Sequence, residues 1–452
     1  MLMSTQKYTD KIVIVGGGVA GINAATKLID NGYPGELITI IDAGKDPYSR
    51  PETELMKGFA GAGLKSDGKL VYKHNEIGGH LAKYCGEEKA DELINQMLEN
   101  IKRFHPDPSK MMVSNPIQEP DFIKPHFNLK MALTYHIGTD YLDILGKNWY
   151  NWLVDNGINF EWEAEVTDID FDEQFVSFKS VSKSELYGWV GERHFDKLIY
   201  CTGKSGIGLT QKLIEKNQIN TEQKSSQIGV RFECPQKYFQ KLLDISYDFK
   251  LYQKPNDRVS LRSFCTNSNQ AYVAIEETFG DFTANGHSKS DPKFYNGMVN
   301  FGIIMEIKDI KDPFNWARNI ISKCQKIQNN KKTLMFYSPN KTRQPSCTSE
   351  GEKIEAFEMD SLDEFKEIYG EYSEYIINYI NNLNELFGMG DDWGIYIGEV
   401  KYLSPEVLVN YDDLSLIQYP NIYFSGDSLS ARGIAVSACQ GILNSQGILS
   451  GK

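Results

Sequence analysis

Three glycines near the start of the chain have the spacing of a turn that binds the phosphates of a dinucleotide. Gly16, Gly18 and Gly21 fit the pattern G-x-G-x-x-G and directly follow the apolar run KIVIV. The first glycine permits a tight turn, the second lets the backbone approach a pyrophosphate, and the third lets a helix pack closely on a strand. A structural turn that binds no nucleotide is the alternative.

An acidic residue follows where such a site needs one. The helix-spaced run INAATKLIDNG stops at Gly32, and the β-rich run ELITIID ends in Asp42, which lies 21 positions after Gly21. Asp42 can accept hydrogen bonds from an adenosine ribose. The order strand, glycine turn, helix, strand predicts a Rossmann-type βαβ unit, whose helix N-terminus presents free N–H groups to phosphates.

A second set of residues, near the end of the sequence, favours FAD over NAD. The apolar run NIYFS leads into Gly426 and Asp427, and a helix is predicted to start near Gly433 and Ile434. In FAD folds of this kind, such an aspartate meets the ribityl hydroxyls and the helix N-terminus points at the flavin pyrimidine. The alternative for Asp427 is an ordinary helix N-cap.

The middle of the chain adds further predicted cofactor contacts. Lys197 to Tyr200 form a short strand candidate that ends in a Cys-Thr-Gly turn. This turn resembles a third contact of such folds, so Thr202 and Gly203 are predicted to bind the cofactor. Val166, in an earlier strand-like run, is predicted to join them.

A longer segment resembles a known family. MKGFAGAGLKSDGKLVY, residues 56–72, is similar to the GGAG-x-x-SDGKL segment of a widespread and largely uncharacterised family of FAD-dependent dehydrogenases. Shorter echoes follow in order along nearly the whole chain: EIGGHLAKYCGEE (76–88), HIGTDYLDIL (136–145), IGVRFECPQ (228–236), RSFCTN (262–267) and NGHS (285–288). The resemblance implies a flavoprotein but names no substrate. The family's Cys-Pro-Gly-Gly-like continuation is replaced here by CTNSNQAYV.

The residues of the similar segment have chemistry that suits a cofactor loop. Gly61 and Gly63 allow close backbone approach, Ser66 and Asp67 can form hydrogen bonds, and Lys69 offers a cation. A positive charge near the flavin N1–C2=O edge would stabilise the reduced, anionic flavin. A phosphate contact and a surface lysine are the alternatives for Lys69.

The resemblance and the strand pattern also suggest catalytic candidates. Arg262 and Cys265 are expected on a strand that crosses the substrate side, and His287 lies in a Gly-His-Ser turn that could exchange a substrate proton. Arg262 and Arg231 could clamp a carboxylate. As alternatives, Cys265 could be a small core residue and His287 a structural residue of the turn. The two arginines could form ion pairs at the edge of the sheet.

The fold class expected is α/β, with an α+β second domain. The Rossmann-type FAD-binding domain is predicted to be discontinuous, assembled from residues 1–75, 137–225 and 400–452. Residues 76–136 are predicted to be a mainly helical insertion, and residues 226–399 a β-rich substrate domain. The flavin ring is expected to face the inner surface of the sheet in this second domain.

Composition narrows the functional class. A formal charge of −13 argues against a protein that binds along the phosphate backbone of a nucleic acid. Seven scattered cysteines form no CxxC pair or zinc pattern, which is typical of a reduced, cytoplasmic protein without a metal site. Because the sequence shows no signal peptide and no long apolar run, secretion and membrane spanning are not expected.

Three functional hypotheses remain open. The first is an oxidoreductase with non-covalent FAD that transfers hydride between flavin N5 and a small organic substrate. The second is a flavoprotein whose FAD is structural or sensory and which acts through protein partners; the third is a macromolecule-modifying flavoenzyme. Since no second G-x-G-x-x-G unit occurs, electrons would pass through a transiently bound NAD(P)H, an electron-carrier protein, oxygen or the substrate itself.

Overall fold

The computed structural model describes residues 8–451 except 52–53, 55, 67, 74–80, 114–117, 132, 182–188, 223–225, 279–280, 289–291, 330, 346–354, 402–404 and 432. Asp67, part of the EIGGHLAKYCGEE run and Cys347 therefore lie outside the described residues. The chain forms two compact units. The first contains residues 1–115, 133–222 and 404–452, and the second contains residues 116–132 and 223–403.

The strands, in chain order, are β1 (Ile12–Val15), β2 (Ile38–Ile41), β3 (Lys69–Val71), β4 (Met112–Val113), β5 (Asn128–Met131), β6 (Thr134–His136), β7 (Asn159–Glu161), β8 (Ala164–Asp170), β9 (Phe175–Ser180), β10 (Val190–His194), β11 (Lys197–Tyr200), β12 (Thr221–Glu222), β13 (Ser226–Pro235), β14 (Phe249–Gln253), β15 (Val259–Asn269), β16 (Ala271–Thr278), β17 (Asp281–Ser288), β18 (Met298–Ile307), β19 (Leu334–Tyr337), β20 (Ala356–Glu358), β21 (Gly394–Lys401), β22 (Glu406–Val407) and β23 (Ile422–Phe424).

The α-helices are α1 (Val19–Asp30), α2 (Leu81–Cys85), α3 (Glu87–Phe104), α4 (Leu142–Asp155), α5 (Ile207–Lys216), α6 (Gln240–Leu243), α7 (Pro313–Ile327), α8 (Leu362–Tyr369), α9 (Ser373–Phe387) and α10 (Ile434–Ser450).

The first unit is built on a five-stranded parallel sheet with the order β23-β11-β1-β2-β7. All four residues of β1 are buried, as expected for a strand that is covered on both faces. Helices α1 and α10 pack against each other at very close range. A Cβ atom added to Gly441 would lie only 2.0 Å from the carbonyl oxygen of Ala20, so a glycine is required there.

Smaller sheets complete the first unit. They are antiparallel, with the orders β10-β9-β8, β3-β6-β4 and β12-β22. Helix α3 places its apolar residues on one buried side, including Leu93, Met97 and Ile101. The predicted insertion at 76–136 is only partly helical, because β4, β5 and β6 pair with strands of both units' own sheets.

The second unit contains an eight-stranded sheet with the order β20-β19-β21-β13-β18-β15-β14-β5. Alternate residues of its central strands, such as Val230, Phe232 and Ile303, are buried in one apolar core with α7, α8 and α9. The opposite face carries polar side chains, including Arg231 and Asn300. Strands β16 and β17 form a separate antiparallel pair.

These observations confirm the predicted fold class. The βαβ unit, the strand at residues 197–200 and the C-terminal strand and helix all form where the sequence predicts them. Among the described residues, no helix is long and apolar enough to cross a membrane. No group of three His, Cys, Asp or Glu side chains within the described ranges could hold a metal ion.

Candidate functional site

Four strand ends of the first unit meet at one edge of the parallel sheet. Val15 of β1 pairs with Tyr200 of β11 and with Ile41 of β2, and Tyr200 pairs with Phe424 of β23. The residues that follow these strands therefore form one row. They are Gly16, Asp42, Cys201 and Ser425, so the chemistry-bearing turns predicted from four distant parts of the sequence lie side by side.

The row includes the point where the order of the sheet reverses. From β1 the chain continues outward through β2 to β7 on one side, whereas β11 and β23 extend the sheet on the other side. Ligands of open α/β sheets bind in the crevice outside the carboxyl ends of the strands at such a point. The candidate site is therefore centred between the Gly16 and Cys201 turns.

The Gly16 turn has the geometry that its glycines predict. Gly16 has φ +114°, which a side chain rarely tolerates, and an added Cβ would lie 2.4 Å from the Cys201 carbonyl oxygen. A Cβ on Gly21 would lie 2.1 Å from the Gly16 carbonyl oxygen, so Gly21 allows α1 to pack on the turn. Gly18 differs, because an added Cβ would meet nothing within 4 Å. The open space lies in front of Gly18.

Two helix N-termini are not capped by side chains. Helix α1 starts after Gly18 and α10 after Gly433, and neither N-cap makes a side-chain hydrogen bond. Neither helix has an acidic residue in its first turn. Their N–H groups and positive dipole ends are thus suited to an anion or to a carbonyl oxygen.

Asp42 is held by backbone donors. Its Oδ2 accepts a hydrogen bond from the N–H of Gly17 at 2.8 Å, and its Oδ1 accepts from the N–H groups of Gly44 and Gly58, both at 2.7 Å. The carboxylate therefore ties the glycine turn and the loop at 44–58 to the end of β2. Since a carboxylate has about four lone-pair positions, Asp42 can still accept a hydrogen bond from a ribose hydroxyl.

The Cys201 turn contacts both neighbouring strand ends. The Cys201 thiol donates to the Gly16 carbonyl oxygen at 3.2 Å, and Thr202 Oγ1 lies 3.2 Å from Ser428 Oγ. Burial, together with the charge of Asp42, raises the pKa of the Cys201 thiol, so it stays protonated. Gly203 has a positive φ of 64° and open space around its Cα.

The Gly-Asp turn after β23 is supported from helix α10. Gln440 Oε1 accepts a hydrogen bond from the Gly426 N–H at 2.7 Å. Asp427 is half-buried in the 3-10 turn that follows, and Gly433 and Ile434 lie at the start of α10. The predicted ribityl and pyrimidine contacts are therefore close together in the first unit.

The loop similar to the dehydrogenase family lies beside the glycine turn. The N–H of Ala60 donates to the Gly17 carbonyl oxygen at 2.7 Å, and an added Cβ on Gly61 would lie 3.4 Å from the Gly18 Cα. Gly63 instead packs on α1, because its Cβ would lie 2.4 Å from a methyl of Val19.

The other predicted contacts of this unit lie on small sheets. Lys69 is half-buried on β3 and pairs with His136 of β6. Ser66 Oγ donates to the Gly63 carbonyl oxygen at 3.0 Å. Val166 is half-buried on β8, next to an irregularity in its pairing with β9.

Sequence reasoning missed an aromatic wall of the site. Trp162 follows β7, next to Asp42 in the row, and its ring would lie 3.3 Å from a Cβ added to Gly17. It stacks on Phe160 with ring centroids 5.1 Å apart. No local pattern identifies Trp162, because its position depends on the pairing of β7 with β2.

The catalytic candidates lie in the second unit. Cys265 sits at a bulge of β15 with φ +51°, and its Sγ lies 4.0 Å from the Gly286 carbonyl oxygen. His287, the next residue of β17, stacks on Tyr272 with ring centroids 5.4 Å apart. The structure thus brings Cys265 close to the strand of His287. Arg262 lies three residues earlier on β15, half-buried and paired with Tyr252.

A buried polar network holds the Cys265 bulge. Arg231 is fully buried, and its Nη2 donates to the Cys265 carbonyl oxygen at 2.7 Å and to Asn300 Oδ1 at 2.6 Å. Asn267 Nδ2 donates to the same Cys265 carbonyl oxygen at 3.0 Å. The Nη1 of Arg231 faces Glu399 at 3.7 Å. Arg231 is therefore engaged within the sheet, which leaves Arg262 as the more accessible guanidinium.

Comparisons with known proteins add little to this geometry. No protein-family model and no curated protein matches the chain. Among solved structures, it is similar to 2-methyl-3-hydroxypyridine-5-carboxylic acid oxygenase, with a TM-score of 0.38 and 11% identity over 98% of this chain and 84% of that chain. A flavoprotein/dehydrogenase from Cytophaga hutchinsonii aligns with a TM-score of 0.40 and 12% identity over 98% and 79% of the two chains.

A third solved structure is the flavin-dependent halogenase CmlS, with a TM-score of 0.35 and 11% identity over 96% of this chain and 56% of that chain. All three alignments have less than 25% identity and a TM-score below 0.5.

Proposed function

We propose that this chain is an oxidoreductase that binds FAD non-covalently and transfers hydride between the flavin and a small organic substrate. The observation that carries the proposal is the row of Gly16, Asp42, Cys201 and Ser425 at one edge of the parallel sheet. Two uncapped helix N-termini and the open space at Gly18 accompany it. These features fit a dinucleotide whose pyrophosphate lies at Gly18 and whose two halves extend towards Asp42 and towards Asp427.

Each part of FAD has a proposed partner in the first unit. The N–H groups at the start of α1 would bind the pyrophosphate where Gly18 leaves room. Asp42 would accept from the adenosine ribose, and Trp162 would border the adenosine half. Asp427 would bind the ribityl hydroxyls, and the start of α10 would hold the pyrimidine edge through its N–H groups.

The flavin, when bound, supplies hydride chemistry at N5. The protein residues supply orientation and charge. Lys69 is proposed to stabilise negative charge on the cofactor, and the loop at Gly61 is proposed to contact it. Arg262, Cys265 and His287 are proposed to act on the substrate, with Arg262 binding it and the other two near the reacting atoms.

Anaerobic titration of the purified, flavin-loaded protein tests the redox part of the proposal. We expect NADH or NADPH, or an organic substrate, to bleach the flavin absorbance, because an oxidoreductase must exchange electrons with a partner molecule. A flavin that none of these reduces at a rate above the protein-free control would contradict the proposal. A structural or sensory role would then be favoured.

A further inference from the structure

The polar face of the eight-stranded sheet carries a cationic cluster that the proposed cofactor site does not use. The cluster consists of Arg262 on β15, Lys401 at the end of β21, and the ring of Phe264. Lys401 Nζ lies 3.8 Å from the centroid of the Phe264 ring, and Arg262 Cζ lies 5.8 Å from it. One aromatic ring is therefore within cation–π distance of both side chains.

The position of the ring is fixed by a glycine on the neighbouring strand. Phe264 pairs with Gly302 of β18, and a Cβ added to Gly302 would lie 2.3 Å from Phe264 Cε1. The ring thus lies directly on the backbone of Gly302, and Phe264 as a whole is 9% exposed. A rigid ring on which an ammonium group rests reduces the conformational freedom that Lys401 would lose on binding a ligand.

Most N–H donors of Arg262 make no hydrogen bond with the described residues. A guanidinium carries five N–H groups, and the described contacts of Arg262 include one long hydrogen bond, from Nη2 to Gln227 Oε1 at 3.4 Å. Within the part of the chain that the structure describes, no carboxylate forms an ion pair with it. None of the Arg262 nitrogens is a buried atom without a hydrogen-bond partner, so its remaining donors face solvent, where an anion can replace water.

The charges around the cluster favour an anionic ligand. Gln227 of β13 pairs with Glu306 of β18 on one side and with Lys401 of β21 on the other, so a carboxylate lies in the same stretch of the sheet as the cluster. Glu399, further along β21, is paired with Arg231. Arg262 and Lys401 thus bring two positive charges to one aromatic ring in a protein whose formal charge is −13. An anionic group suits this position better than a neutral one.

We propose that Arg262 and Lys401, supported by Phe264, form a binding site for the carboxylate group of a small organic acid. Arg262 would bind both carboxylate oxygens through its planar fork, and Lys401 would add a second charge-assisted hydrogen bond. This proposal deepens the proposed function, since it names the substrate class as a carboxylate. It rests on the proposed function only in calling this ligand the substrate.

Binding of benzoate to the full-length protein tests the site, with benzamide as the uncharged control and inorganic phosphate as the alternative anion. Saturation-transfer NMR detects binding, and calorimetry gives the affinity. We expect benzoate to bind, benzamide to fail at the same concentration, and Arg262→Gln to weaken benzoate binding at least about tenfold. Lys401→Gln should weaken it about three- to tenfold.

Matched variants separate the site from general charge effects. Lys237→Gln removes a lysine that also lies over a ring, at 4.7 Å from the Tyr238 centroid, and should leave benzoate binding unchanged. Gly302→Ala should weaken binding because it displaces Phe264. If Arg262→Gln does not fold, Arg262→Lys keeps the charge, loses the fork and should still weaken binding.

Several results would overturn the proposal: no benzoate binding, equal binding of benzamide, binding of phosphate alone, or benzoate binding that Arg262→Gln leaves unchanged. The measurement needs no flavin, so it is repeated on protein stripped of its cofactor. Flavin identity is determined separately. Failure of the carboxylate site and failure of the FAD proposal therefore give different results.

Discussion

The backbone N–H of Gly17 donates to the Asp42 carboxylate at 2.8 Å. This bond joins the glycine turn after β1 to the end of β2, and the same carboxylate accepts from Gly44 and Gly58. Asp42 is thus a structural clamp of the candidate site as well as a proposed ribose ligand. The two roles predict different effects of substitution.

Replacing Asp42 by Ala should lower the free energy of unfolding by about 2–4 kcal/mol, because three backbone donors lose their acceptor. Asp42→Asn should cost about half as much, since its amide oxygen can still accept from Gly44 and Gly58 while its NH₂ group cannot accept from Gly17. Urea denaturation of the flavin-free protein measures both. Equal stability of Asp42→Ala and the parent would refute the clamp.

Two glycines of the same motif should respond in opposite ways. Gly18→Leu should fold normally, because an added Cβ meets nothing within 4 Å and the residue has φ −70°. It should nonetheless abolish flavin binding, since the side chain fills the proposed pyrophosphate position. The free energy of unfolding should change by no more than about 1 kcal/mol.

Gly21→Ala is the matched variant. Its Cβ would lie 2.1 Å from the Gly16 carbonyl oxygen, so the cost should appear in the stability of the flavin-free fold, at about 2 kcal/mol or more. Thermal denaturation and flavin content are measured for both variants. Normal flavin content in Gly18→Leu would remove the proposed pyrophosphate site.

The strained backbone of Cys265 gives a prediction that separates packing from chemistry. Because its φ is +51°, Cys265→Gly should be more stable than Cys265→Ala by about 1 kcal/mol. If the thiol takes part in the reaction, both variants should keep full flavin content and show slower flavin reduction by substrate. Loss of flavin in step with loss of fold would instead assign Cys265 to packing.

The thiol of Cys85 should react slowly at neutral pH although it is only half-buried. Burial raises its pKa to about 11, Lys89 opposes this shift and Glu92 adds to it. The thiolate is the reactive form, so the labelling rate should keep rising about tenfold for each pH unit up to that value. Iodoacetamide labelling, followed by mass spectrometry of the Cys85 peptide, measures the profile. A rate that levels off near pH 8.5, as for an ordinary cysteine, would contradict it.

Local sequence patterns were sufficient to predict most of the strands and helices that form the parallel sheet of the first unit. The run IVIV, the glycine spacing and the helical period that follows act within about thirty residues, so β1, α1 and β2 could be predicted directly. The backbone contacts of Asp42 could not, because Gly44 and Gly58 reach it only through the path of an irregular loop. Trp162 was missed for the same reason, since the β2–β7 pairing is not local.

The strand order of the second unit could not be predicted from local patterns. The sequence predicts that residues 226–399 are β-rich, but the order of the strands in the sheet depends on pairings between distant segments. One signal was available. Asn300 interrupts an apolar strand, and in the structure it is fully buried and accepts hydrogen bonds from Arg231. A polar residue in such a run indicates a buried partner but does not identify it.

Identification of the cofactor released from the purified protein tests the central claim most directly. Protein is denatured by heat or acid, and the supernatant is separated by chromatography against FAD and FMN standards. We predict a single flavin, FAD, because the Gly16 turn and Asp42 suit an adenosine half while Asp427 and α10 suit a flavin half. A colourless protein, or one that releases FMN, would contradict the account.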